Sequence, residues 1–269
     1  MNSTKKLTGI LTALCLLFSS CSKEPEPPSE GLFLHYTFDG NIDDLSGNGN
    51  EGIDFTAGNF VKGVRGQALD FDGITDYVRL SKSIYTAEGL TFSFWIKPRG
   101  SINTENNGVI ISKYNMRNDS RCFLIWSFGA YETRNDNRLS AAFYKDRYTS
   151  AIHDHVKSYM TTDELPAFPS DPSLWTIANP KKLTIGAWTH CVVNVTGNSI
   201  EAWIDGVLCA KKQREYETYF DTPDEPVFIG NCFAIGEGMN NHFNGIIDEL
   251  RIYNRGLTKE EIQILFEYR

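Results

Sequence analysis

Asp248 is a carboxylate at a position where the surrounding pattern asks for an apolar side chain. In the run Gly245-Ile246-Ile247-Asp248-Glu249-Leu250-Arg251-Ile252-Tyr253, strand alternation puts Ile246, Asp248, Leu250 and Ile252 on one face and Glu249 and Arg251 on the other. If the apolar face is the core face, Asp248 points inward. An unpaired buried carboxylate is costly and is driven toward protonation, so this group needs a cation, an arginine or several N–H donors. A second set of residues suits sugar binding, because the C–H face of a pyranose stacks on an aromatic ring while planar polar groups bind its hydroxyls. The stretch from Ser101 to Pro180 carries Trp126, Tyr131, Tyr144, Tyr148, Tyr159, Phe168 and Trp175, with Arg134, Asn135, Asp136 and Asn137 among them. Trp175, Tyr131, Arg134 and Tyr148 are the candidate ligand contacts. Trp126 alternates within Phe123-Leu124-Ile125-Trp126 and reads as core.

Catalytic and metal signatures are weak by comparison. A glycosidase needs two carboxylates flanking the scissile bond. Glu215 and Glu217, two apart, come nearest to such a pair on one strand, but they follow a charged turn. No Gly-x-Ser-x-Gly elbow and no phosphate-cradling glycine loop occurs. His153-Asp154-His155 has no third ligand at a metal-binding interval and reads as a solvated loop. The sequence therefore favours binding over catalysis.

The elements that would position these groups are strands. Leu34, Tyr36 and Phe38 alternate with polar residues before Asp39-Gly40-Asn41, and Leu69 and Phe71 do so before Asp72-Gly73, with Val78 and Leu80 beyond. Leu90, Phe92, Phe94 and Ile96 form another such run, ending at Pro98. Residues 188–195, 199–204 and 207–210 predict two successive hairpins, joined by Thr196-Gly197-Asn198 and by Asp205-Gly206. Asp-Gly between apolar runs suits a tight turn with positive φ. Thr258-Lys259-Glu260-Glu261 is a capping box, and Ile262, Leu265 and Phe266 follow at helical spacing. An all-β sandwich closed by one short C-terminal helix is expected.

Several segments, in order, resemble the laminin-G-like jelly rolls of the concanavalin A-like superfamily. They are Leu34–Gly40 with Asp44-Leu45-Ser46-Gly47-Asn48-Gly49, Gly66–Gly73, Phe92–Pro98, Trp188-Thr189-His190, Ala202–Gly206 and Gly245–Tyr253. The resemblance implies a two-sheet antiparallel jelly roll over residues 31–269, with Trp95, Trp188, His190 and Trp203 as scaffold and a long insertion around 145–180. It also implies a structural Ca²⁺ between the first and last strands, with Asp248, Asp39 and Asn41 as ligands and Asp44 and Asn50 as lesser candidates. Carboxylate and carbonyl oxygens on a turn suit that ion. The same fold hosts lectins, adhesion modules and glycosidases, so it does not fix the activity.

The N-terminus addresses compartment. Lys5 and Lys6 precede an apolar run, Leu7–Phe18, too short to span a bilayer, and Ser19-Ser20-Cys21 follows. This resembles a bacterial lipoprotein signal, which implies acylation of Cys21 after cleavage. Residues 22–30 are proline and charge without apolar residues, an extended tether. The expected location is lipid-anchored in the outer membrane and surface-exposed. Removing the leader takes away two lysines and no acid, so a formal charge of −8 becomes −10. A chain that acidic is a poor partner for nucleic acid or anionic lipid. A glycan or polysaccharide is the expected partner, with a surface protein as the rival. Of six cysteines, Cys122, Cys191, Cys209 and Cys232 lie beyond the leader, as disulfides or as buried thiols; Cys191 and Cys209 fall in strands expected to be adjacent.

Overall fold

A computed structural model describes residues 25–55, 58–84, 89–100, 108–115, 120–127, 137–145, 153–158, 175–215, 225–232 and 241–269. The leader, Cys21, Tyr131, Arg134 and Tyr148 lie outside the described residues. The first half contains β1 (Leu32–Tyr36), β2 (Gly52–Phe55), β3 (Asn59–Lys62), β4 (Gln67–Asp72), β5 (Val78–Leu80), β6 (Leu90–Pro98), β7 (Val109–Asn115) and β8 (Ser120–Trp126). The second contains β9 (Ser140–Tyr144), β10 (His153–Lys157), β11 (Trp175–Ile177), β12 (Thr189–Val195), β13 (Ser199–Ile204), β14 (Val207–Gln213), β15 (Phe228–Ile229), β16 (Asn244–Tyr253) and the helix α1 (Lys259–Glu267).

The strands form two antiparallel sheets. The larger has nine strands, in the order β11-β14-β13-β12-β6-β16-β4-β3 with β1 also paired to β16; the smaller has seven, in the order β10-β9-β8-β7-β15-β5-β2. One apolar core lies between them, built from residues such as Phe92, Phe94 and Ile96 of β6, Phe123 and Ile125 of β8, Phe143 of β9 and Leu250 and Ile252 of β16. The ring centroids of Phe92 and Phe123 lie 5.1 Å apart across this interface. The Asp205-Gly206 turn has φ of +52° and +71°, the primed geometry its sequence predicts. The capping box is also present: Thr258 accepts from Glu261 N–H, and the Glu261 side chain accepts from Thr258 N–H. Helix α1 buries Ile262 and Leu265 against Val192, Trp203 and Tyr253 on the outer face of the larger sheet.

Three expectations are corrected. First, β16 does not keep one face along its length. Its register against β6 shifts between Asp248 and Arg251, and Glu249 sits at φ +49°. This bulge reverses the alternation: Ile247 faces the core before it and Leu250 and Ile252 after it, while Ile246 and Asp248 fall on the outer side. Second, Cys191 and Cys209 lie on β12 and β14 with β13 between them, and all four described cysteines are buried free thiols. Third, Trp126 is not in the inter-sheet core but packs with a separate cluster on the outer face of the smaller sheet.

The region around 145–180 contributes strands rather than only loop. β10 pairs with β9 at the edge of the smaller sheet, and β11 pairs with β14 at the edge of the larger one. His153 and His155 fall opposite Tyr144 and Ala142, and Trp175 falls opposite Lys212; the side chains of these three residues lie outside the described set.

Candidate functional site

The strand register brings Asp39 and Asp248 to the same place, the turn between β3 and β4. Asp248 Oδ2 accepts from Val64 N–H at 2.7 Å and Arg65 N–H at 3.2 Å, and its Oδ1 accepts from Glu249 N–H at 2.7 Å. Asp39 Oδ1 accepts from Gln67 N–H at 2.6 Å. A Cβ built on Gly63 would lie 2.4 Å from Asp248 Oδ2, so the turn sits on the carboxylate at a distance only glycine allows. Asn41 contacts Asp43 instead, donating to its Oδ2 and accepting from its backbone N–H.

This donor set does not fit calcium, which takes six to eight oxygens. The groups facing Asp248 are N–H donors, three of them on its two oxygens, and no further carboxylate joins it and Asp39 among the described residues. Among the described residues no three His, Cys, Asp or Glu side chains gather into a metal-binding group. Of the three partners that a buried Asp248 required, the structure supplies the N–H donors. Melting the protein with and without excess chelator should therefore give the same midpoint; a drop of several degrees would restore the calcium reading.

Asp44 and Asn50 are likewise structural. Asp44 accepts from His35 N–H, Ser46 N–H, Ser46 Oγ–H and Asn50 N–H at 2.8–3.0 Å. Burial works upward on this carboxyl, but those donors hold it below its ordinary range. Ser46 Oγ and the side-chain amides of Asn48 and Asn50 donate to the Phe33 carbonyl, so the Ser-Gly-Asn-Gly-Asn segment caps the open side of β1. Asp72 gathers Ile74, Thr75 and Asp76 N–H; burial again pushes upward, and the donors bring it to about 2.

The outer face of the smaller sheet has a different character. An outer sheet face normally meets water and is polar, yet here Val109, Tyr114, Leu124, Ala142, Tyr144 and Cys232 form a buried cluster with half-buried Trp126 against it. Strand pairing sets the arrangement: Trp126 is opposite Ser140 and Val109, Leu124 is opposite Ala142 and Ser112, and Tyr114 is opposite Arg121. The Tyr114 and Tyr144 rings lie 5.2 Å apart and share a hydrogen bond, and Arg121 bonds to Tyr114. Burial raises both phenols, with Arg121 opposing it at Tyr114, so both remain neutral donors. Ser112 Oγ donates to Asn231 O at 2.7 Å, and burial pushes the Cys232 thiol up to about 12. The result is aromatic rings, hydroxyls and one guanidinium on a single rigid face. Sequence reading placed Trp126 in the core and missed this face; the unbroken apolar run Cys122–Trp126 marks a strand covered on both sides.

A nucleophile–base pair does occur, but it is sealed. Ser93 Oγ lies 2.9 Å from His190 Nε2, and both residues are about 1% exposed. The imidazole packs against the rings of both Trp95 and Phe266, its Nδ1 has no partner, and burial lowers its pKa to about 3. Without access or a third group to orient the ring, the pair lacks the triad arrangement. Glu215 is bound to Lys212, and Glu217 lies outside the described residues.

Solved structures share this fold. Domain 4 of the GH43 extracellular arabinanase AbnA from Geobacillus stearothermophilus, determined with arabinotriose, is 19% identical, with TM-score 0.61, over 87% of this chain and 97% of that one. The binding domain of Paraclostridial Mosquitocidal Protein 1 is 16% identical, with TM-score 0.63, over 89% of this chain and 52% of that one. The botulinum neurotoxin serotype D ligand-binding domain, in complex with N-acetylneuraminic acid, is 14% identical, with TM-score 0.57, over 90% and 52%. The chain thus spans about half of those last two chains. No curated protein matches it in sequence. The family model that does match is that of the concanavalin A-like lectin/glucanases superfamily, over residues 72–263, and with its two antiparallel sheets and closing helix the chain belongs to that laminin-G-like family.

Proposed function

We propose that this protein is a non-catalytic glycan-binding module, held at the outer membrane surface by lipid on Cys21 and a short tether. The aromatic outer face of the smaller sheet carries this reading. Trp126 is the reachable ring, Tyr114 and Tyr144 buttress it, and Arg121 adds charge-assisted hydrogen bonding. Aromatic surface with a few fixed polar groups is the usual make-up of a ligand site. The candidates Tyr131, Arg134 and Tyr148 fall in the sequence between β8, β9 and β10 of this sheet, so the reading extends to them, whereas Trp175 opens β11 at the edge of the larger sheet. Fold neighbours determined with arabinotriose and with N-acetylneuraminic acid support a saccharide ligand.

The test is a glycan array with the soluble chain beginning near Ser29, followed by calorimetry on the best neutral ligand. Trp126→Ala should weaken binding at least about tenfold, the size of one lost aromatic contact. Trp175→Ala reads whether the 145–180 region takes part. Retention of full affinity by Trp126→Ala, or absence of any glycan ligand alongside capture of a specific surface protein, would overturn the proposal. Release of reducing sugar from a polysaccharide panel would move the protein to the enzymes of its family.

A further inference from the structure

On the opposite side of the sandwich, a cleft of about 480 Å³ opens beside the β3–β4 turn, lined by Lys62, Lys97, Arg269, Trp95, Trp188 and the turn backbone. Register explains the convergence. Trp95 and Lys97 are two apart on the outer face of β6, and Trp188 immediately precedes Thr189, which pairs with the intervening Ile96. Lys62 is the last residue of β3, next to the turn. The Arg269 guanidinium lies 6.0 Å from the Trp95 ring and 5.6 Å from the Phe266 ring, which itself stacks on Trp95 at 5.9 Å. Trp95 is almost fully buried, whereas Trp188 is half-buried and presents ring surface to the cleft.

The charge at this cleft runs against the rest of the molecule. The chain carries a formal charge of −8, and Arg99, Lys181, Lys211, Lys212, Arg251 and Arg255 each sit against a carboxylate. Among the described residues, no carboxylate pairs with Lys62, Lys97 or Arg269. Asp248, paired with Trp95 across the sheet, lies under the turn and accepts from Val64, Arg65 and Glu249 N–H. Those amides point inward, so the turn offers the cleft no N–H nest of the kind that cradles phosphate. What remains is positive charge beside a flat indole. At physiological salt the Debye length is about 8 Å, so the acidic remainder of the surface is largely screened from a ligand seated here.

We propose that this cleft binds an acidic sugar residue, its carboxylate or sulfate against Lys62, Lys97 and Arg269 and its ring on Trp188. The site is separate from the aromatic face of the smaller sheet and stands or falls independently of it. Calorimetry on the full soluble chain would compare a galacturonate oligomer, its fully methyl-esterified form, a sulfated galactose oligomer and the neutral galactose oligomer. The expected result is binding of one or both acidic oligomers, weakened by added salt, and at least about tenfold weaker binding of the esterified and neutral forms. The two acidic arms decide which anion is preferred. Lys62→Glu, at an exposed position, should weaken acidic binding about tenfold, and Lys62→Glu with Lys97→Glu about a hundredfold, while Lys62→Arg with Lys97→Arg retains it. Trp126→Ala should leave it unchanged. Failure of both acidic oligomers to bind, or equal affinity in a folded Lys62→Glu variant, overturns the site without touching the glycan reading of the other face.

Discussion

Unfolding measured from pH 4 to 8 should show the wild type losing stability relative to Asp248→Asn as pH rises. Burial pushes the Asp248 carboxyl from 3.8 up to about 7, helped by the neighbouring Glu249 charge and opposed by N–H donation from Arg65, Val64 and Glu249. The folded chain therefore keeps this proton to about pH 7, while the unfolded chain releases it near 3.8. The resulting stabilisation is complete below the lower value, declines between the two and is gone above the upper one. Asparagine cannot titrate. Its amide must turn one N–H toward a backbone N–H, a cost that does not vary with pH. His190 acts in the opposite sense: burial takes it from 6.5 down to about 3, so its contribution is full above pH 6.5 and is lost as pH falls. The two slopes oppose each other in the wild type, leaving a shallow curve. Subtracting the Asp248→Asn curve removes the His190 contribution and should expose a change on the order of 3 kcal/mol between pH 4 and 7. Parallel curves would mean that Asp248 is not desolvated under the turn.

How much of this was readable beforehand depended on whether the signal was local. The hairpin β13–β14 follows from Asp205-Gly206, whose positive φ needs a glycine and a tolerant partner, and α1 follows from Thr258 and Glu261. Both are short-range chemistry. Alternation marks Asp248 as a buried carboxylate in need of partners but puts it on the wrong face, because the bulge at Glu249 leaves no compositional trace: the residue at φ +49° is not glycine. Its partners were also hidden. They are backbone amides of a turn more than 180 residues away, and amides carry no sequence label. The same limit applies to the two proposed ligand sites. Alternation reports that β8 has two apolar faces, not which one meets the other sheet. Lys62, Lys97, Trp188 and Arg269 become neighbours only through the order β12-β6-β16-β4-β3. Of the two readings of Cys191 and Cys209, the buried thiols hold for that reason too, since a hairpin strand intervenes.

Gly230→Ala should be strongly destabilising, and it reaches the aromatic face as well as the core. Gly230 has φ +81°, a conformation that costs an L-residue about 1–2 kcal/mol. A Cβ there would lie 2.4 Å from both Cδ1 and Cε1 of Phe71. That ring has little room to retreat, being 1% exposed and edge-on to Phe243 at 6.3 Å. Nor is the backbone free to rotate away: Gly230 N–H donates to Ile110 O at 2.8 Å, and its carbonyl accepts from Phe243 N–H at 2.9 Å. Strain and overpacking together should cost about 3 kcal/mol or more, read as a lower urea midpoint. Phe71→Leu alone should also destabilise, but in the Gly230→Ala background it should cost less or even restore stability, because the smaller side chain removes the clash; additive effects would assign the damage to backbone strain alone. The consequence for binding follows from the next two residues. Asn231 O anchors Ser112 and Cys232 packs with Tyr114, so any shift of the chain at 230 moves the wall behind Trp126. Glycan affinity should therefore fall in Gly230→Ala even at temperatures where the variant remains folded, whereas the acidic-sugar cleft on the far sheet should keep its affinity.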